Sequence, residues 1–127
     1  MENIEMQSYV KMKFENGILY GKYNKSLVID LEVAKTVIEY RKKLTNYKNA
    51  PILVDARDVN EITSEARKLF SSTEGYELLN AAGILVDSKF QTFVANFLLK
   101  VNFKKTPIPI KLFTNESDAI IWLEEYK

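Results

Sequence analysis

The residue types in this chain limit its chemistry before any fold is considered. Among 127 residues there is no histidine and no cysteine. Imidazole acid–base catalysis, Ser-His-Asp triads, thiol nucleophiles, thiolate zinc sites and disulfides are therefore excluded. Three groups remain that could do chemistry or bind. Thr63 and Ser64 stand directly before a run with helical spacing. A phosphate on Ser64 would meet the free backbone N–H groups and positive dipole end of a helix N-terminus. The plainer role of either residue is to cap that helix, worth about 1 kcal/mol. Asp55 and Asp87 each close a short apolar run, at the strand ends where open α/β sheets bind ligands. Two carboxylates there could hold Mg²⁺. No acid pair precedes them, however, and Lys111 falls inside the last apolar run. Turn and helix capping is the expected role, and neither metal nor cofactor is expected. The third group is the stripe Phe90, Phe93 and Phe97, continued by Leu98, Val101 and Phe103. Core packing explains most of it. The excess, with Trp122, could wall an apolar pocket or form a dimer surface.

The elements that must position these residues follow from periodicity and punctuation. Val10, Met12 and Phe14 alternate with Lys11 and Lys13, the period of a half-buried strand. Asn16-Gly17 follows, a strong hairpin signal, and Ile18 to Tyr23 returns. Asp30 caps a helix with apolar positions Leu31, Ala34, Val37, Ile38 and Leu44, and Arg41, Lys42 and Lys43 suit the negative end of its dipole. Ile52-Leu53-Val54 reads as a central strand covered on both faces. Ala56 to Ile62 reads as a loop, and a second helix runs from Thr63 or Ser64 to about Asn80, weakened at Gly75. Ala82 to Val86 is another buried strand. Ser88 and Gln91 form a capping box for a third helix, on which Phe90, Phe93, Val94, Phe97, Leu98 and Val101 make one apolar face. Ile108 to Phe113 is the last strand, pushed to a sheet edge by Pro109. Asn115 caps a last helix with Ala119, Ile120, Trp122 and Leu123.

The length fits one domain, residues 1–127, and folding should bury roughly two-thirds of the unfolded chain's surface. Charge is balanced, with 18 basic and 17 acidic residues. That argues against a nucleic-acid binder, despite the clusters Arg41-Lys42-Lys43 and Lys100, Lys104 and Lys105. No run approaches the ~20 apolar residues of a membrane-spanning helix, and Met1 to Ser8 resembles no targeting segment. A cytoplasmic location is the default expectation.

The order β-β-α-β-α-β-α-β-α implies a mixed α/β sheet. It resembles the SpoIIAA-like, or STAS-like, fold: a mixed sheet of about five strands, an opening hairpin and then β-α units, with about four helices. The stretch Val54-Asp55-Ala56-Arg57-Asp58-Val59-Asn60-Glu61-Ile62-Thr63-Ser64-Glu65-Ala66 lies without gaps on the anti-sigma factor antagonists' strand, loop and Asp-Ser-Ser-Gly helix start. Ser64 then falls on the serine phosphorylated in those proteins. Thr63 stands in place of the Asp, Glu65 of the second Ser and Ala66 of the Gly. A kinase reading Asp-Ser-Ser-Gly is not expected to read this loop. The ending, Asn115 to Leu123, is more similar to the stand-alone SpoIIAA-like bacterial proteins of unknown function, with their acidic turn and Ala-x-x-Trp-Leu helix.

The resemblance implies a non-catalytic regulatory or protein-interaction module. Its docking face would comprise Arg57, Asp58, Asn60, Glu61 and Thr63, with Ser64 as the phosphorylation candidate. The alternative is a carrier of a small molecule or lipid, with an apolar pocket of Phe90, Phe93, Phe97 and Trp122 beside the third helix. An enzyme ranks last, for want of any acid–base motif or Gly-rich phosphate loop. The expected partners are a protein or an apolar small molecule and, given the apolar excess, a second copy of the chain.

Overall fold

Asn16 and Gly17 both adopt positive φ, 52° and 81°, as a two-residue hairpin turn requires. The strands it joins are β2 (Val10–Glu15) and β3 (Ile18–Tyr23), paired antiparallel with Glu15 opposite Ile18. The computed structural model describes residues 3–6, 9–25, 27–87 and 106–127. The remaining elements are β1 (Asn3–Met6), β4 (Leu27–Ile29), α1 (Leu31–Leu44), β5 (Ala50–Asp55), β6 (Val59–Ile62), α2 (Ser64–Phe70), α3 (Thr73–Tyr76), β7 (Leu79–Leu85), β8 (Ile110–Phe113) and α4 (Glu116–Leu123).

The main sheet has six strands in the order β1-β2-β3-β5-β7-β8. Its first three strands are antiparallel, and β3, β5, β7 and β8 run parallel. The mixed α/β sheet is the expected class, with β1 as an added edge strand. Residues Ile52 and Leu53 of β5 are both buried, as a strand covered on both faces must be. On one face, Leu19, Ile52 and Ala82 pack with Val33, Ala34 and Val37 of α1 and Ala66 of α2. On the other, Ile18, Leu53, Leu85 and Phe113 pack with Ala119 and Leu123 of α4.

Helix starts fall where the sequence places them. Asp30 accepts from the Val33 N–H at 2.9 Å, Thr63 from Ala66 at 3.2 Å and Asn115 from Asp118 at 2.9 Å. Two expectations are corrected. The segment Ala56 to Ile62 is only partly a loop. Val59–Ile62 is a strand that pairs in parallel with β4 in a separate two-stranded sheet. The helix expected from Thr63 or Ser64 to about Asn80 is broken at Ser71-Ser72. The Ser71 hydroxyl donates to the Arg67 carbonyl at 2.7 Å, and that of Ser72 to Leu69 at 2.6 Å. Ser72 also accepts from Gly75 N–H at 3.3 Å and so caps α3. Serine side chains compete locally for backbone groups in this way, ending one helix and starting another. The third helix expected from sequence lies outside the described residues. β8 is an edge strand, and Pro109 immediately before it accepts from the Ala82 N–H at 2.9 Å.

Gly75 is the tightest point of the α2–α3 corner. A Cβ there would be driven into the backbone carbonyls of Phe70 and Leu69. We predict that Gly75→Ala destabilises the protein by about 2 kcal/mol, since backbone must shift to admit the methyl. Urea denaturation followed by circular dichroism measures this, and an unchanged midpoint would contradict the packing described.

Candidate functional site

The candidate site grows from the carboxyl end of β5. Asp55 closes that strand, and its neighbour Arg57 folds back onto it. The guanidinium donates through Nε to Oδ1 at 3.0 Å and through Nη2 to Oδ2 at 2.7 Å. The backbone N–H of Arg57 reaches the same Oδ1 at 3.1 Å. Lys22, opposite Asp55 in the β3–β5 pairing, adds an ion pair at 3.8 Å. Partial burial by itself would raise the Asp55 carboxyl. The hydrogen bonds and charge of Arg57, with Lys22 behind them, outweigh it and hold the group below the usual carboxylate range. Asp55 therefore acts as the anchor of a turn. Among the described residues no cluster of three or more acids could hold a metal ion.

Beyond this clamp the chain enters β6, whose pairing with β4 extends to Thr63, where the N–H donates to Ile29 carbonyl at 2.9 Å. Val59 is buried beneath, while Asn60 and Glu61 are exposed. Thr63 is turned inward as the α2 cap, which leaves Ser64, the first helical residue, exposed, with its hydroxyl donating to Glu65 at 3.0 Å. The structure thus brings Asp58, Asn60, Glu61, Ser64 and Glu65 along one short corner. Arg57 and Thr63 hold that corner in place. Side-chain charge on its exposed part is acidic.

The apolar group behaves differently. Phe90, Phe93 and Phe97 lie outside the described residues. Trp122 packs on the α4 face, with its ring centroid 5.6 Å from Phe113 and 5.0 Å from Tyr126. It borders an open cleft beside β8 with Ile121 and Val86.

A second apolar feature, missed in the sequence, lies on the opposite sheet face. A cavity of about 140 Å³ lies between α1, the α2–α3 corner and the sheet. Tyr23 and Arg41 line it, 6 % and 3 % exposed. Arg41 reads in the sequence as a dipole-complementing surface cation. A signal existed: it continues the buried spacing of Ala34, Val37 and Ile38. Its Nη1 donates to the Glu77 carbonyl and its Nη2 to that of Gly75, both at 2.9 Å.

Comparison with known proteins supports the architecture. A family model described as "Domain of unknown function (DUF7793)" matches residues 12–127, and the chain belongs to that family. No functionally curated protein matches it in sequence. A solved structure from Shewanella loihica PV-4, an uncharacterized DUF3478-family protein with a SpoIIAA-like fold, aligns at a TM-score of 0.62. Identity is 16 %, over 97 % of this chain and 92 % of that one. An anti-sigma factor antagonist from Mycobacterium paratuberculosis aligns at 0.58 with 15 % identity, covering 98 % and 93 %. The fold is SpoIIAA-like, as the element order implies.

The Asp55–Arg57 clamp has a pH signature. A carboxyl held below its unfolded value stabilises the fold above about pH 4, and that stabilisation is lost as pH falls through the folded value. Arg57 is itself well exposed, so screening limits the pair. Arg57→Ala should cost about 1 kcal/mol at pH 7 and less at about pH 2, as Asp55 takes up its proton on the fall through its lowered folded value. Urea titrations of both proteins at the two pH values read the difference. A cost that is the same at both would contradict the charge-assisted clamp.

Proposed function

We propose that this DUF7793 domain is a non-catalytic regulatory module that docks a protein partner through its β6–α2 corner. The observation that carries the reading is the combination of exposure and rigidity. Asn60, Glu61, Ser64 and Glu65 face solvent. The backbone that bears them is fixed by the Asp55–Arg57 clamp, the β4 pairing and the Thr63 cap. A preorganised polar loop costs little ordering entropy on binding, which favours recognition. The acidic side chains at the corner call for a basic patch on the partner. A neighbour of the same fold being an anti-sigma factor antagonist supports a protein partner in kind, without naming one. Ser64 is the residue of the corner proposed for phosphorylation, because a phosphate there would add charge at the centre of the docking surface. We further propose that residues 1–127 act as one domain in the cytoplasm.

The test is site-specific photo-crosslinking in the native host. The crosslinker is placed at Glu61, at Ser64 and, as a control, at Lys35, which is exposed on α1. The same partner should be captured from both corner positions and not from Lys35. The double variant Glu61→Lys, Glu65→Lys, with unaltered circular dichroism, should bind that purified partner at least tenfold more weakly, about 1.4 kcal/mol. Equal capture from Lys35, or unchanged affinity of the double variant, would reject the corner as the docking surface.

A further inference from the structure

The cavity between α1, the α2–α3 corner and the sheet has walls of one chemistry and an end of another. Ile52 and Val54 of β5, Ile84 of β7, Ile110 of β8 and Phe70 of α2 supply apolar wall. Arg41 and Tyr23 supply the polar groups, and they lie within electrostatic reach of each other. Glu77 directs its carboxylate to Lys42 at 2.8 Å, so Arg41 receives its backbone carbonyl at 2.9 Å and the nearby charge, but no ion pair. Arg41 forms no salt bridge among the described residues. The buried Tyr23 hydroxyl makes no hydrogen bond to any described residue.

A buried guanidinium without an ion pair is costly, and the Tyr23 hydroxyl lines the cavity with a donor that no described residue uses. One occupant would satisfy both groups: a carboxylate accepting from Arg41 and Tyr23, carried on an apolar body. From this juxtaposition we propose that the cavity is a binding site for a small apolar monocarboxylate. Its charged end meets Arg41 and Tyr23, and its body lies among Ile52, Val54, Ile84 and Ile110. The volume, about 140 Å³, sets the size. An apolar cavity of about 150 Å³ admits one benzene-sized group, so an aromatic or short branched acid fits and a long-chain fatty acid does not. Burial pushes Arg41 down to about 10, with Glu77 and Tyr23 opposing, so the guanidinium stays charged at neutral pH and attracts the carboxylate. The same burial raises Tyr23 far above neutrality, against the pull of Arg41, so its hydroxyl is a donor. This site is separate from the β6–α2 docking corner and stands without it.

Methyl NMR titration of the full chain with benzoate at pH 7 tests the proposal, with benzyl alcohol as the uncharged probe of similar size. Benzoate should move the methyl signals of Ile52, Val54, Ile84 and Ile110 in a saturable way, and benzyl alcohol should bind at least tenfold more weakly. Arg41 also braces the fold, so the deciding variant is Tyr23→Phe, which removes one oxygen and keeps the ring. It should weaken benzoate about tenfold, the loss of one hydrogen bond to a charged group. Equal binding of benzoate and benzyl alcohol would mark a simple dry void. That result, an absence of shifts in the lining methyls, or unchanged benzoate affinity in Tyr23→Phe would overturn the assignment.

Discussion

Arg41 sets the geometry on which much of the sheet depends. Desolvating a guanidinium costs several kcal/mol, so it persists in an interior only where its donors are well used. Its two bonds reach the carbonyls of Gly75 and Glu77, on either side of Tyr76. They hold the chain where Leu78 takes φ 67°, a conformation that costs a non-glycine residue of order 1 kcal/mol or more. Leu79 follows at once and enters β7 opposite Ala50 of β5. The Leu78 carbonyl accepts from the Ala50 N–H at 3.1 Å. The start of the central parallel pair is thus braced by one side chain of α1.

The same helix explains how the candidate docking corner is placed. Ala34 of α1 and Ala66 of α2 are both fully buried. Small residues at a helix contact permit close axial approach. With α2 seated against α1, its N-terminus and the Thr63 cap sit at the end of β4, where the Thr63 N–H donates to the Ile29 carbonyl. From the other side the Asp55–Arg57 clamp fixes the approach to β6. Position and rigidity of the corner come from contacts made beneath it. Its outward side chains, Glu61, Ser64 and Glu65, are left for recognition.

Local rules made much of this legible in the sequence. Alternation plus Asn16-Gly17 specifies the β2–β3 hairpin, and Asp30, Thr63 and Asn115 announce their helices because a cap is a three-residue interaction. The run Ile52-Leu53-Val54 declares a strand covered on both faces. What escaped depends on distant partners. β6 has four residues, two of them exposed, and becomes a strand only because β4, far earlier in the chain, lies beside it. The break at Ser71-Ser72 rests on hydroxyls choosing carbonyls within a turn, which a helical apolar pattern hides. At the site, residues 57 to 64 could be placed by their position after β5. The fold-back of Arg57 onto Asp55 could not, since a charged residue in a loop ordinarily reads as free. Arg41 was obscured by the adjacent Lys42 and Lys43, which suggest a solvated helix end.

The docking corner and the cavity share one structural unit. α2 begins at the corner with Ser64, and its last residue, Phe70, lines the cavity, with Tyr76 of α3 beside it. Gly75 and Glu77 bind the guanidinium that faces the same space. A carboxylate drawn to Arg41 would act directly on the side chain that braces the α3–β7 turn. Any effect of such an occupant on the seating of α2 would be felt at the corner, and a partner bound there would change the occupant's affinity by the same factor, because coupling between binding sites is reciprocal. Whether that coupling is large depends on how far α2 can move. The α1–α2 packing around buried Ala34 and Ala66 and the tight backbone at Gly75 leave it little freedom, so the fold favours a stiff link between the two sites over a loose one.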